Sequence, residues 1–301
     1  MESEIKSRIP NLRPSDFDQY IFGNWKPETG SFYEKFHIER IERYKKHLNL
    51  PVLPHRRSVY FFLFVSRGWS VRSKGLTEYT IPENHFFCLP PDQITALTSI
   101  SDDIEGFYCH FRADIFNHPL LQKDLCRQFN FWRISGNPLV RINSPETFID
   151  QLLGLEREYK KAEGSRFELI PLYLASLFKE MELENPGQAE NQPSAASQLT
   201  GAYKDLLSEQ IHMIHSVQMA AELLHISPNH LNKSVKKVTG KTAQNLLDEM
   251  KVLEARVLLR QTAIPVQEIA AYLGKLDLSS FSRHFKKWTG MSPKEYRKSS
   301  F

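Results

Sequence analysis

The apolar positions near the carboxyl end follow a helical period, and they occur as two copies of one unit. Residues 227–240 return as residues 277–290, an offset of fifty positions. In each copy, apolar residues at i, i+4 and i+7 fall on one helical face and are predicted to pack inward. They are Leu231, Val235 and Val238 in the first copy and Phe281, Phe285 and Trp288 in the second. The pattern predicts two short amphipathic helices with matching surfaces.

Capping residues bound both predicted helices. Ser227 precedes Pro228 at the first helical position, and Asp277 takes the place of the serine in the second copy. Ser and Asp side chains accept hydrogen bonds from the free N–H groups of a first helical turn, and proline is tolerated there. Gly240 and Gly290 are predicted to end the helices, because glycine best accepts the left-handed conformation after a last turn.

A further short helix is predicted before each copy. Its apolar residues are Val217, Ala220, Ala221 and Leu224 in the first unit, and Val266, Ile269, Ala270 and Leu273 in the second. Two helices that cross at a small residue after a short turn form a helix-turn-helix unit. A long amphipathic helix after Thr242 is predicted to join the two units, and a capping box at Ser292 begins a last helix that ends near Lys298. Segment 201–301 is therefore predicted to be all helical.

The first 184 residues carry strand patterns instead. Residues 60–65 are an unbroken apolar run, which predicts a strand buried on both faces. Further strands are predicted at 69–72, 76–81, 86–89, 94–100 and 106–111, separated by Gly, Pro, Asn or Asp. Short strands at this spacing indicate a small barrel or sandwich.

Two helices are predicted to close this first domain. The first begins at Ser144, with Phe148, Leu152, Leu155 and Tyr159 on one face. The second spans 167–183, with Leu169, Tyr173, Ser176 and Leu177 on one side. Residues 185–200 follow as a predicted linker, because the run is rich in Pro, Gln, Asn and Ser and lacks an apolar period over 185–197.

Composition and charge separate the two predicted domains. A chain of 301 residues with 41% hydrophobic and 12% aromatic residues suits two globular domains. Residues 201–301 hold 15 Lys and Arg against 9 Asp and Glu, whereas residues 1–200 hold 24 against 26. The basic excess thus belongs to the repeat domain, as expected of a partner for nucleic acid. A solvated helix face is the alternative reading of each lysine pair.

The sequence shows no membrane span, no signal peptide and no metal-like spacing of cysteines. No run approaches the roughly 18 apolar residues of a membrane span, and the polar start is not a signal peptide, so we expect a cytoplasmic protein without a membrane partner. Cys88, Cys109 and Cys126 are an odd number without metal-like spacing, and we expect reduced, structural thiols.

The repeat domain resembles the AraC-type (AraC/XylS) bacterial transcription regulators. The resemblance covers about 100 carboxyl-terminal residues and rests on the paired units, the connecting helix 250–259 and the closing run 281–297. Lys251 and Lys275 depart from the usual pattern, which has an arginine and an aromatic residue there. The resemblance implies an α+β protein with a cupin-like barrel over 1–184, which carries packed helices, and a DNA-binding domain over 201–301.

Helical phase and resemblance agree on the residues that face DNA. An α-helix fits the major groove, where polar side chains reach base edges, and lysines farther along meet phosphates. The predicted base-reading residues are Asn229, His230, Asn232 and Lys233 in the first helix and Ser279, Ser280, Ser282 and Arg283 in the second. The predicted phosphate contacts are Lys236, Lys237, Lys286 and Lys287.

The barrel raises two alternatives, a small-molecule effector site and a metal enzyme. Aromatic candidates to line an effector pocket are Tyr60, Phe62, Trp69, Phe87 and Tyr108, although strand aromatics are more often core. His55, His85 and His110 are scattered, so hydrogen-bonded or surface histidines are the favoured reading over metal ligands. We expect no catalytic residue, cofactor or metal. A metal-dependent cupin enzyme fused to a DNA-binding domain is the alternative, and an architectural DNA binder is a third.

The resemblance also implies partners. They are double-stranded DNA, a small-molecule effector, RNA polymerase, and a second copy of the chain that pairs through residues 144–183. Activation and repression both stay open, as does the identity of the effector.

Overall fold

The computed structural model describes residues 13–22, 32–122, 125–134, 136–161, 164–185, 194–274 and 277–299, with backbone alone at 17–20 and 164–165. The chain divides into two compact units at residues 191 and 192. Residues 186–193 of the predicted linker lie outside the described residues, as do Lys275 and the first twelve residues. The last six linker residues are helical instead, because Ser194 caps a helix that begins at Ala195 and buries Thr200.

Nine strands in the described part of the first unit form two antiparallel sheets. They are β1 Phe36–Arg40, β2 Val52–His55, β3 Tyr60–Arg67, β4 Ser70–Lys74, β5 Thr77–Ile81, β6 His85–Leu89, β7 Thr95–Ile100, β8 Glu105–Phe111 and β9 Leu139–Arg141. The larger sheet has the order β1-β8-β3-β6-β9, and the smaller has the order β2-β7-β4-β5. Among the described strands no ladder joins the two sheets, so the cupin-like barrel is open, not closed.

Strand β3 is the centre of this unit, and its burial on both faces is confirmed. Phe61, Leu63 and Val65 pack with the smaller sheet in one apolar cluster. Phe62 and Phe64 point the other way, into a second cluster under the helices. Side chains alternate across a strand, and each fully buried large apolar residue contributes about 1.5 to 3 kcal/mol of transfer free energy.

The helices of the first unit are α1 Pro14–Phe22, α2 Ile41–Tyr44, α3 Pro145–Lys160 and α4 Leu169–Leu183. The predicted inward positions Phe148, Leu152 and Leu155 of α3 are buried. On α4 the predicted stripe is confirmed at Leu177 and wrong at Leu169 and Tyr173, which are 39% and 38% exposed. The buried residues of α4 are Ile170, Pro171, Leu174, Leu177, Phe178 and Met181. The face is set by Phe178, whose ring packs edge-on against Trp132, a contact that helical period does not indicate.

The second unit is helical throughout its described residues. Its helices are α5 Ala195–Gln210, α6 Val217–Leu223, α7 Pro228–Thr239, α8 Ala243–Gln261, α9 Val266–Tyr272, α10 Leu278–Thr289 and α11 Pro293–Lys298. Both helix-turn-helix units, the connecting helix and the last capping box are confirmed. The departing Lys251 is a buried residue of α8.

Two inward predictions in α7 and α10 are wrong. Val238 is 44% exposed and Trp288 is 38% exposed, whereas Leu231, Val235, Phe281 and Phe285 are buried. Val238 and Trp288 each lie two residues before the terminal glycine, at the helix end, where fewer neighbouring elements cover a side chain.

Candidate nucleic-acid interface and barrel interior

The amino ends of α7 and α10 are held by equivalent caps. The Ser227 hydroxyl accepts a hydrogen bond from the His230 N–H at 3.2 Å. The Asp277 carboxylate accepts from the N–H groups of Ser279 at 3.2 Å and Ser280 at 2.7 Å. These bonds satisfy N–H groups that a first helical turn leaves free. The first turns of both helices are therefore fixed by their own sequence.

The carboxyl ends of α7 and α10 also match. Gly240 and Gly290 follow the helices in the left-handed conformation, with φ of 73° and 77°. The hydroxyls of Thr239 and Thr289 each donate to a carbonyl four residues earlier at 2.8 Å. The sequence repeat is thus a repeat of local geometry at both helix ends.

The outward faces of α7 and α10 carry no carboxylate within the helices. Asn229, His230, Lys233, Lys236 and Lys237 of α7 are exposed, as are Ser279, Arg283, Lys286 and Lys287 of α10. Ser280 and Ser282 are half-buried. Exposed cations and polar groups without acidic neighbours on the same helix suit a polyanion such as the phosphate backbone.

Asn232 departs from the predicted base-reading face. Its side-chain oxygen accepts a hydrogen bond from the backbone N–H of Ala243 at 3.0 Å, at the start of α8. Thr242 caps the same helix through the N–H of Asn245. Asn232 therefore ties α7 to the connecting helix and is half-buried. Helical phase predicts an outward position for Asn232. It does not indicate this hydrogen bond, because the N–H of Ala243 belongs to another helix.

Comparison with known proteins agrees with this geometry. A model of a helix-turn-helix domain matches residues 220–299. The HTH-type transcriptional activator RhaR of Enterobacter sp. is 28% identical over 237 residues, which are 78% of this chain and 75% of that protein. In its helix-turn-helix domain the chain is similar to AraC/XylS-type transcription regulators.

Two further similarities differ in how much they cover. The uncharacterized HTH-type transcriptional regulator YobQ of Bacillus subtilis is 28% identical over 147 residues, and the match spans 61% of its length and 46% of this chain. Among solved structures, the C-terminal domain of AraT, a response regulator from Geobacillus stearothermophilus, matches 36% of this chain and 90% of that chain, at 28% identity and a TM-score of 0.34.

Only one of the five predicted effector-pocket aromatics lines the cavity between the sheets of the first unit. Tyr108 lines it. Tyr60 and Phe62 lie in the cluster under the helices. Phe87 packs in the sheet-to-sheet cluster, and Trp69 is 41% exposed at a surface groove. These four lie elsewhere because aromatic type does not indicate which face of a sheet encloses free space.

The cavity has a polar side that the sequence reasoning missed. Its polar lining consists of Tyr44, His55, Arg57, Arg72 and Tyr108. Arg72 comes from β4, where Ser70, Arg72 and Lys74 alternate as buried residues. The alternation in 70–74 was available as a signal, because it places polar residues on a single face of the strand.

Two buried histidines of the first unit act in hydrogen bonds. Burial, and next the charge of Arg57, lowers the pKa of His55 to about 3, so its ring is neutral. His55 Nδ1 lies 2.8 Å from the Leu53 carbonyl, which leaves Nε2 to accept from Arg57 Nε at 3.2 Å. His110 likewise uses both nitrogens, toward the Tyr33 carbonyl and the Tyr108 hydroxyl. A metal at either ring would have to displace these partners.

The part of the chain that the structure describes contains neither a cluster of metal-ligating residues nor a helix suited to cross a membrane. There, no group of three or more His, Cys, Asp or Glu is placed to hold a metal ion. No described helix combines the length and the apolar character that a membrane crossing requires. Burial raises the pKa of the Cys88 and Cys109 thiols well above the ordinary value, so both are protonated in the core.

Proposed function

We propose that this regulator reads a bipartite DNA site, with α7 and α10 in major-groove segments about one helical turn apart. The observation that carries the proposal is the repetition of exposed, carboxylate-free faces on two helices whose ends are capped alike. The outward residues of the two helices differ. The two halves of the site should therefore differ in sequence.

Within this site the roles divide by position along each helix. We assign base contacts to Asn229, His230 and Lys233 in α7, and to Ser279 and Arg283 in α10, which are exposed within the first two turns. We assign weaker base contacts to Ser280 and Ser282, because both are half-buried and because a hydroxyl pairs with several bases. Lys236, Lys237, Lys286 and Lys287 contact phosphates, which position the protein without reading sequence.

Selection of bound DNA by the full chain tests this assignment. We expect two sequence blocks centred about 10 base pairs apart. Arg283→Ala should relax preference at one guanine of one block and cost about 1 to 3 kcal/mol there. Lys179→Ala, which removes an exposed lysine paired with Glu182 in the first unit, is the control and should select the same DNA. A single block, or two blocks with unchanged preference in Arg283→Ala, contradicts the proposal.

We also propose that a small molecule in the first unit controls transcription, and that RNA polymerase is the partner that responds. The supporting observation is a small cavity between the sheets whose lining combines polar and apolar side chains. A reporter gene driven from a selected site would test both parts. Loss of regulation with retained DNA binding, after residues lining the cavity are replaced, is the expected result.

We propose, finally, that two copies pair through residues 144–183. Leu169 and Tyr173 support this, because they are apolar, exposed and adjacent on one face of α4. Tyr173→Glu should reduce dimerisation of the full chain in sedimentation, with Arg67→Glu, at an exposed position outside residues 144–183, as the control. A chain that stays monomeric at high concentration before any substitution contradicts pairing.

A further inference from the structure

Two guanidinium groups are enclosed between the sheets of the first unit. Arg57 is 5% exposed and Arg72 is 4% exposed. The Cζ atoms of both lie over the ring of Phe61, 4.8 Å and 5.2 Å from its centroid. An enclosed charge is strongly unfavourable unless a counter-charge or full hydrogen bonding offsets the loss of water.

Arg57 donates hydrogen bonds to two neutral side chains. Its Nε donates to His55 Nε2 at 3.2 Å, and its Nη1 donates to the Tyr108 hydroxyl at 3.0 Å. The Tyr108 hydroxyl in turn lies 3.1 Å from His110 Nδ1, and His110 Nε2 lies 2.8 Å from the Tyr33 carbonyl. This chain of hydrogen bonds orients the Arg57 guanidinium but adds no negative charge to the cavity.

Arg72 lacks even this support. Its Nε is buried without a hydrogen-bond partner among the described residues, and so are the hydroxyls of Ser70 and Thr95. No carboxylate in the described part of the chain forms an ion pair with Arg72. Its pKa is lowered to about 10, first by burial, so it stays charged at neutral pH. Unsatisfied groups of this kind in a native structure call for an explanation, such as an absent ligand.

The cavity beside Arg72 has an apolar part as well as its polar lining. The apolar lining consists of Ile21, Phe22, Leu48, Val52 and Leu97. The free space is about 20 Å³, room for about one water molecule, so a bound ligand has few atoms and shifts the side chains of this apolar wall. A guanidinium presents a planar fork of donors that matches a carboxylate.

We propose that this cavity binds a small monocarboxylate of two to four carbons, with its carboxylate on Arg72 and Arg57 and its alkyl tail against the apolar wall. The Tyr44 hydroxyl, neutral because burial raises its pKa to about 12, lines the same cavity and is available as a further donor. As a regulatory signal, this ligand rests on the effector control proposed above. Its binding, however, is a property of the first unit and is measured without DNA.

Thermal unfolding of the full chain tests the proposal with acetate, propionate and butyrate, each compared with its amide at matched ionic strength. The carboxylates should raise the Tm of one transition in a saturable manner, since a ligand that binds only the folded state stabilises it. The uncharged amides should not. Arg72→Met should weaken binding at least tenfold, while Arg67→Met, at an exposed arginine beside Asp103 and Glu105, should leave it unchanged.

The opposite results overturn the proposal. Equal shifts from carboxylates and amides, or a saturable carboxylate shift that survives in Arg72→Met, would show that the arginines are structural. If Arg72→Met does not fold, Arg72→Lys keeps the charge but loses the fork, and it should still weaken binding about tenfold. If carboxylates stabilise the chain but the selected DNA shows no bipartite site, only the proposed DNA reading is contradicted. If the bipartite site is found but carboxylates have no effect, only the proposed carboxylate binding is contradicted.

Discussion

The side-chain oxygen of Asn232 accepts the backbone N–H of Ala243 at 3.0 Å, which joins α7 to the connecting helix α8. The equivalent position in the second unit is Ser282, and the residue equivalent to Ala243 is Pro293, which has no N–H to donate. The two helix-turn-helix units therefore differ at this joint, although their caps agree. The first helix is tied to its neighbour by a bond that the second unit does not have.

Replacing Asn232 should destabilise the second unit of the chain. We expect Asn232→Ala to lower the free energy of unfolding by about 1 kcal/mol, because the Ala243 N–H loses its acceptor. Ser282→Ala is the matched control and should change stability by less than about 0.5 kcal/mol. Urea denaturation of both variants measures the difference. Equal stability of the two would contradict the structural role of Asn232.

Phosphate-contacting lysines should be recognisable by the salt dependence of DNA binding. We expect Lys237→Ala to weaken binding to all sequences alike and to reduce the slope of log K against log salt by about 0.9, because one fewer counterion is released. Fluorescence anisotropy over a salt series gives the slope, with Lys179→Ala as the unchanged reference. An unaltered slope in Lys237→Ala would mean that this lysine faces solvent in the complex.

The buried His37 should make stability fall in acid. Burial lowers its pKa from 6.5 to about 3 in the folded protein, so between these values only the unfolded chain binds the proton. Its contribution is complete above pH 6.5 and is lost as the pH falls toward 3, at about 1.4 kcal/mol per pH unit.

Two variants separate the His37 contribution from that of other acid-sensitive groups. His37→Gln should reduce the pH dependence of the unfolding free energy between pH 6.5 and 4.5 by about one proton. Tyr159→Phe removes the hydroxyl that lies 3.1 Å from His37 Nδ1 but leaves the imidazole, and it should keep the original slope. Unfolding measured at several pH values distinguishes them. A His37→Gln slope equal to that of the unchanged protein would refute the assignment.

Gly106 should be the least replaceable glycine of the sheet. A Cβ there would lie 2.0 Å from the Phe64 carbonyl oxygen on the adjacent strand, and its φ is +146°. Gly106→Ala should cost at least about 3 kcal/mol, because two paired strands must separate. Gly240→Ala has left-handed φ but open space around the Cβ, so it should cost about 1 to 2 kcal/mol. Thermal denaturation that ranks the two in reverse order would contradict this account.

The elements of the second unit were predicted well because their signals are local. Ser227, Asp277 and Ser292 act on N–H groups within three residues of themselves. In the first unit, β3 to β8 follow runs or alternation visible in sequence, but α1, β1, β2 and β9 were not predicted. Strand β9 has three residues and pairs with β6, more than fifty positions earlier, so its sequence carries too short a pattern.

The candidate sites divide in the same way. The exposed residues Lys233, Arg283 and Lys237 follow from helical phase, which depends on neighbours one turn away. The lining of the cavity in the first unit does not follow from helical phase. Arg57 contacts Tyr108 across 51 positions of sequence, and Tyr60, Phe62 and Phe87 pack in the core. Which side chain borders free space depends on how two sheets pack.

The sequence by itself determined two capped helix-turn-helix units with basic outward faces, because capping, helical period and charge all act over a few residues. Only the tertiary structure decided that Asn232 turns toward α8 and that Arg72 is enclosed between two sheets. Both outcomes depend on partners from distant segments, and the free energy of burying a polar group is set by the partners that folding brings to it.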